Sequence, residues 1–208
     1  MIITRIEKQK RNKKRWSIYT DDVFLVGVSE DTLLKFGLRV NDEITQDTVQ
    51  ELIKFDEYVY ANKCALDFLS YRIRSKAEVT DKLRSKGISP GTADRVIGHL
   101  QSLGLINDEE FSRQLIQSFI GNKPLGRKAI LQKLFQKKIP KQVSEKVLNE
   151  VFSSLNVKEL AYMNFKKYFP KLKDKDINRK KRKVFDFLAR KGYEFDIINE
   201  IINENITS

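Results

Sequence analysis

With 208 residues, 40 Lys and Arg against 28 Asp and Glu, and a net charge of +12, the chain can form one or two compact domains. Its charge asks for a polyanionic partner, nucleic acid before an acidic membrane surface. The single cysteine, Cys64, excludes an intramolecular disulfide. The longest apolar run, residues 23–28, is far below the roughly 20 residues that span a bilayer, and the opening MIITRIEKQK has no signal-peptide core, so a soluble cytoplasmic protein is expected.

The first 45 residues read as a strand-rich head. WSIYTDDVFLVGVS places β-branched and aromatic residues on both sides of Thr20, Asp21 and Asp22, as a hairpin does. MIITRI supplies a further strand. Ser29 caps a short helix, DTLLKF, that Gly37 ends. Asp47 with Gln50 forms a capping pair for a long helix over about 48–73, supported by Val49, Leu52, Ile53, Val59, Leu66 and Leu69. Residues 46–60 form a linking helix between the head and the downstream helices.

From residue 61 onward no strand is expected, and the pattern repeats. Aligned on Leu83, Leu134 and Leu188, the positions four before are Val79, Ile130 and Val184. Five after are Ile88, Ile139 and Tyr193; thirteen after, Val96, Val147 and Ile201; fourteen after, Ile97, Leu148 and Ile202. Upstream, Ala65/Leu69/Ile73, Phe111/Leu115/Phe119 and Ala161/Phe165/Phe169 keep a four-residue step. Each unit therefore reads as three helices. Gly87, Pro140 and Gly192 fall in the connectors between second and third helices. Asn107 or Asp108 caps the helix near Glu109, with Glu110 completing a capping box if Asn107 is the cap.

The expected architecture is mainly α. Three tandem three-helix repeats, 61–108, 109–157 and 158–208, form an elongated curved stack behind the small strand-containing head. A unit of this size is near the lower limit for folding alone, and stacking would extend its core. No exposed apolar seam stands out, so a monomer is expected.

Charge is uneven along the chain. Residues 1–60 carry 10 basic and 11 acidic side chains, whereas 158–191 carry 13 basic and 4 acidic. Arg179, Lys180, Lys181, Arg182 and Lys183 are consecutive, and clustering like charge is destabilising unless a counter-charge meets it. The next densest positions are Arg127, Lys128, Lys133, Lys137 and Lys138, followed by Arg190 and Lys191. These twelve are the candidate binding residues, read as a strip that meets phosphates. Seven of the eleven residues from Arg5 to Arg15 are also basic, which charge-guarding of a sheet edge explains.

Catalysis finds little support. His99 is the only histidine and sits on an expected packing helix. Cys64 reads as a small core residue. GNKPLGRK, 121–128, mimics a phosphate loop by its glycines. However, Arg127 stands where the lysine belongs, no hydroxyl residue follows Lys128, and no strand precedes it. No cluster of metal ligands or cofactor motif is present. Base reading by a helix-turn-helix is disfavoured, because the third helices, such as DIINEIINE, are apolar or acidic rather than rich in donors.

The assembled residues resemble the RecX family of bacterial recombinase regulators. The resemblance rests on Arg74-Ser75-Lys76-Ala77-Glu78-Val79, Lys82-Leu83 and Lys86-Gly87-Ile88. It continues through Gly104-Leu105-Ile106-Asn107-Asp108 before Phe111, then Pro124-Leu125-Gly126 with Ile130, Leu134 and Ile139. Leu188-Ala189-Arg190-Lys191-Gly192-Tyr193 completes it, for a coverage of about 60–205. The head looks like the extension of longer members. One departure is Lys138, where the usual pattern has glycine; a lysine is comfortable there only if the connector does not need φ > 0. A second is Lys133, where Glu is common. The resemblance implies a non-enzymatic modulator that binds the RecA filament on DNA along its groove and mostly inhibits its activities. Its partners would be a RecA-type recombinase filament and single- or double-stranded DNA, bound weakly or within the filament. The alternative is a DNA-binding helical module acting without a recombinase.

The repeat register makes a direct claim about Leu134. Leu134→Ala is expected to destabilise the fold by about 2–5 kcal/mol. An unchanged urea midpoint would show the register to be wrong.

Overall fold

Two acidic residues make the turn between the second and third strands. In the computed structural model, which describes residues 1–122 and 124–206, Asp21 and Asp22 have φ of 49° and 60°. They form the two-residue loop whose twist suits a hairpin. The hairpin joins β2 (Arg15–Thr20) to β3 (Val23–Ser29), and β1 (Ile3–Lys8) pairs antiparallel with β2 on its other side. The free edge of β1 is covered by the segment that leads into the next long helix. The Ile3 N–H donates to the Asp42 carbonyl (2.9 Å), and the Ile44 N–H to that of Met1 (2.7 Å). Helix α1 (Glu30–Phe36) starts at Ser29, whose hydroxyl accepts from the Thr32 N–H, and ends at Gly37.

Helix α2 (Gln46–Leu69) differs from expectation at both ends. Its cap is Thr45, whose hydroxyl accepts from the Thr48 N–H, rather than the Asp47–Gln50 pair. Asp47 lies inside the first turn, where its charge favours the helix dipole. The helix stops at Leu69, so Ile73 is not on it. Its buried face is also different. Val49 and Leu52 pack against Ile3, Ile18, Val26, Val28 and Ile44 of the head, while Ala61 and Ala65 enter the first repeat. Ile53 and Leu66, expected inside, are 45 % and 40 % exposed. Small Ala61 and Ala65 let the neighbouring helices approach closely, and this turns the larger residues out.

Asp56 marks the middle of this face and is buried. Its carboxylate accepts from the Ser29 N–H (2.6 Å), the Thr32 hydroxyl (2.9 Å) and the Arg15 guanidinium (2.8 Å). Burial alone would push this carboxyl up. The hydrogen bonds from Ser29 and Thr32 and the charge of Arg15 outweigh it and hold the group below its ordinary value. The head is thereby tied to the helix that continues into the first repeat.

The remaining helices are α3 (Lys76–Ser85), α4 (Pro90–Ser102), α5 (Asp108–Asn122), α6 (Arg127–Gln136), α7 (Lys141–Phe152), α8 (Val157–Tyr168), α9 (Ile177–Arg190) and α10 (Phe195–Asn205). Beyond residue 61 no strand occurs among the described residues. The chain divides into two compact units, Met1–Ile106 and Asn107–Ser208. The first holds the head, α2, α3 and α4. The second holds two three-helix sets, α5–α7 and α8–α10. Lys123, in the glycine-bearing stretch 121–128, and the last two residues of 158–208 lie outside the described residues.

The repeat register holds at every aligned position of second and third helices. Val79, Leu83, Val96, Ile130, Leu134, Val147, Val184, Leu188 and Ile201 are fully buried. The first helices are less regular. In α5 the buried pair is Phe111 and Ile116, with Leu115 only half-buried. Asn107 is the cap of α5; its Oδ1 accepts from the Glu109 and Glu110 N–H groups. Glu110 points its carboxylate at Arg113 and Gln114. His99 is exposed rather than packed, because α4 buries Ala93, Val96, Ile97 and Leu100. Cys64 is half-buried against the first repeat's core.

The connectors between second and third helices share one backbone requirement. Gly87 and Gly192 have φ of 77° and 85°, and Lys138 at the matching position has φ of 57°. The condition under which a lysine sits there without strain, a connector that does not need φ > 0, is therefore not met. Each second helix closes through the same left-handed residue, so the second repeat holds a strained lysine where the others hold glycine. Lys138→Gly is expected to raise stability by about 1 kcal/mol. An equilibrium urea titration checks it; a lower midpoint would mean that the lysine side chain makes contacts worth more than the strain.

Candidate nucleic-acid interface

Helix α9 carries half of the candidate residues. Its register is set by Val184 and Leu188, both fully buried. That register turns Arg179, Arg182, Lys183 and Arg190 to solvent and leaves Lys180 and Lys181 half-buried. The Lys180 ammonium lies 5.8 Å from the Phe169 ring centroid, so its stem runs along apolar surface. Lys180 and Lys181 are therefore not a purely solvent-facing pair, although neither is a core residue.

The local electrostatics are unfavourable for a helix. Arg179–Lys183 occupy the first two turns of α9, where cations oppose the dipole. Two acids offset part of this. Asp176 caps the helix, its Oδ1 accepting from the Asn178 N–H at 2.8 Å. Asp174 meets Lys183 at 2.8 Å, and that hydrogen bond holds its carboxyl below the ordinary value. Farther along, Asp186 is exposed between Arg182 and Arg190 and interrupts the basic row.

Helix α6 carries the second group. Ile130 and Leu134 face its core. Arg127 reaches Asn149 Oδ1 (2.8 Å), Lys128 pairs with Glu194 (2.8 Å), and Lys133 donates to Gln136 (3.4 Å). Lys133, Lys137 and Lys138 are exposed at its C-terminal end, where cations suit the dipole.

Backbone contacts connect the two groups. The Gly126 N–H donates to the Lys191 carbonyl (2.8 Å), and the Lys128 N–H to the Gly192 carbonyl (3.2 Å). These are first-turn donors of α6 that the helix itself leaves without acceptors. A Cβ on Gly126 would overlap the Gly192 carbonyl, and one on Gly192 would overlap the Ala129 backbone. Beside this contact Asn164, on α8, is 7 % exposed. Its Nδ2 donates to the carbonyls of Pro124 (3.0 Å) and Leu160 (3.1 Å) and to the Tyr193 hydroxyl (2.9 Å). Burial pushes the Tyr193 phenol up to about 12, so it stays neutral.

The candidates are thus partly gathered. Arg127 and Lys128 meet the connector that holds Arg190 and Lys191. Arg179–Lys183 sit toward the other end of α9, about 10–17 Å from Arg190 along the helix axis. Sequence reasoning noted Pro124-Leu125-Gly126 and Arg190-Lys191-Gly192-Tyr193 as motifs but did not see that they touch. Asn164, a lone amide among the apolar positions of its helix, was the available signal for a buried polar joint. The glycine-bearing stretch 121–128 begins in the last two residues of α5 and does not follow a strand. Among the described residues, no group of three or more His, Cys, Asp or Glu could hold a metal, and no helix is long and apolar enough to cross a membrane.

Four domain profiles match the chain in order. They are the RecX regulatory protein's N-terminal domain over residues 1–45 and its first, second and third three-helix domains over 61–100, 107–148 and 158–202. The chain belongs to the RecX family. The Regulatory protein RecX of Clostridium perfringens (strain SM101) is 32 % identical over 205 residues, 96 % of this chain and 94 % of that protein. That of Clostridioides difficile (strain 630) is 28 % identical over 203 residues, covering 98 % and 95 %. A crystal structure of a regulatory protein RecX superposes with a TM-score of 0.78 at 26 % identity, covering 97 % of this chain and 98 % of that one. RecX from Lactobacillus salivarius gives 0.66 at 29 % identity, over 72 % and 96 %. The family's third and second three-helix domains are the ones joined here by Gly126 and Gly192.

The joint predicts a stability effect. Gly126→Ala is expected to destabilise the second unit by about 1–3 kcal/mol, through overpacking against the Gly192 carbonyl. Tyrosine fluorescence during urea unfolding reads it, and a neutral variant would show that the connector can yield.

Proposed function

We propose that the chain is a non-catalytic regulator that binds a RecA-type recombinase filament on DNA and mostly restrains its activities. The observation that carries this reading is the placement of cations on α6 and α9. Arg179, Arg182 and Arg190 are exposed on one helix, and Lys133, Lys137 and Lys138 on or just past another. The N-terminal run on α9 opposes its own helix dipole, so it does not serve stability. Relatives over nearly the whole chain are named regulatory proteins, which supports a role by binding.

In this reading the segments 109–157 and 158–208 act as binding repeats, and 1–45 with the linking segment 46–60 and repeat 61–108 complete the molecule. All twelve candidates contribute: Arg127, Lys128, Lys133, Lys137, Lys138, Arg179, Lys180, Lys181, Arg182, Lys183, Arg190 and Lys191. The outward-facing ones meet phosphates or an acidic protein surface, while Lys180 and Lys181 reach the same edge along apolar stems. The protein acts as a monomer in the cytoplasm, and DNA is bound weakly or within the filament.

The test replaces Arg179, Arg182 and Arg190 together by Gln. None is buried, so the melt should be little changed. Affinity for a recombinase filament should fall. The slope of log K against log salt should become shallower by about 0.7 for each lost phosphate contact to a single strand. Unchanged affinity and slope would remove α9 from the interface. Binding to bare single-stranded DNA as tight as to the filament would favour a DNA-binding module without a recombinase partner.

A further inference from the structure

Phe135 breaks the pattern of α6. It follows the buried Leu134, yet it is 77 % exposed. It forms one wall of a groove of about 380 Å³ on the second repeat, between α6 and α7. Leu131 and Ile139 also line this groove, and Lys128 and Lys141 stand at it. Ser144 completes the lining. It is 2 % exposed, and its Oγ has no hydrogen-bond partner among the described residues. Buried polar atoms nearly always have a partner, so this hydroxyl is open to a polar atom that water or a ligand brings. The stretch of chain that builds the groove is basic: residues 127–144 hold six basic side chains and no acidic one, and the nearest acids, Glu194 and Glu145, each stand against one of the two lysines.

We propose that this groove docks an acidic segment of a protein partner through one large apolar side chain. The identity of the partner rests on the proposed regulatory function; the chemistry of the groove does not. The apolar anchor lies against Leu131, Phe135 and Ile139. A polar atom beside the anchor pairs with the Ser144 hydroxyl, and flanking carboxylates face Lys128 and Lys141. Both lysines have acidic neighbours already, Glu194 at 2.8 Å and Glu145 at 3.8 Å. These pairs are solvent-exposed, so exchanging either for a partner's carboxylate meets little resistance. A nucleobase fits less well, because a base presents several donors and acceptors along its edges. Against those edges the groove sets the Gln132 amide and two lysine ammoniums, all solvent-exposed, and a single buried hydroxyl, Ser144, beside an apolar wall.

The experiment selects a phage-displayed random peptide library against the full chain. Enriched peptides should place Phe, Leu, Ile or Met between Asp and Glu residues. Their affinity should fall about tenfold or more with Phe135→Ala. Because Phe135 is exposed, the circular-dichroism melt of that variant should match the parent. Enriched peptides without acidic bias would overturn the proposal, as would peptides that bind Phe135→Ala equally well or a selection that enriches nothing. An oligo(dT) strand is titrated in parallel. If Phe135→Ala weakens oligo(dT) and spares the peptides, the wall stacks bases and the proposal falls. If the peptides depend on Phe135 but filament binding does not, the groove stands and its assignment to the recombinase fails.

Discussion

The second unit depends on one close approach of backbone to backbone. The Gly126 N–H reaches the Lys191 carbonyl, and the two connectors meet with no Cβ between them at Gly126 or Gly192. Three effects converge there. First-turn donors of α6 gain acceptors. Asn164 satisfies the Pro124 carbonyl and the Tyr193 hydroxyl in a buried setting. Gly192 supplies the left-handed residue that closes α9. Removing one of these leaves buried polar groups without partners, which is more damaging than the loss of an ordinary contact. The same joint places Arg127 and Lys128 beside the end of α9, so a packing constraint also arranges the charged surface.

The repeats show how one pattern tolerates unequal chemistry. Second helices share their buried pair, Val79 and Leu83, Ile130 and Leu134, Val184 and Leu188. Their outer faces differ freely. The second repeat exposes an aromatic, Phe135, where its neighbours have Arg84 and Ala189. It also holds Lys138 in a conformation that the others give to glycine. Both departures lie on or just past the same helix, α6. Departures from local preference often gather at surfaces selected for something other than stability. The groove and the lysine-rich end of α6 fit that description.

The first unit uses another device. A continuous helix of 24 residues, α2, serves two cores, with Val49 and Leu52 toward the sheet and Ala61 and Ala65 toward α3 and α4. Asp56 sits where the two meet, ionised and held by Arg15, Ser29 and Thr32. A carboxylate with this many donors fixes the angle at which the hairpin meets the helix. The direction of its shift makes the contribution present above the ordinary carboxylate range. It is lost as pH falls through the lowered folded value.

Much of this was written in the sequence by itself. Period and spacing determined the strands, the three-helix units, and the burial of each aligned Val, Ile and Leu of the second and third helices, because a helix or strand with an apolar stripe must bury that stripe. The Asp21-Asp22 turn and the caps at Ser29 and Asn107 were legible for the same local reason: a few neighbouring residues satisfy one another's backbone groups. Tertiary structure alone decided the rest. It buried Ala61 and left Ile53 and Leu66 out, since closeness of approach depends on what lies opposite. It imposed φ > 0 on Lys138, since the path to α7 requires the turn whichever residue occupies it. It turned Lys180 and Lys181 partly inward while leaving Arg179 and Arg182 out. It also brought Gly126 to Gly192 across 66 residues of chain, a contact between connectors that carries no periodicity and so leaves no pattern to read.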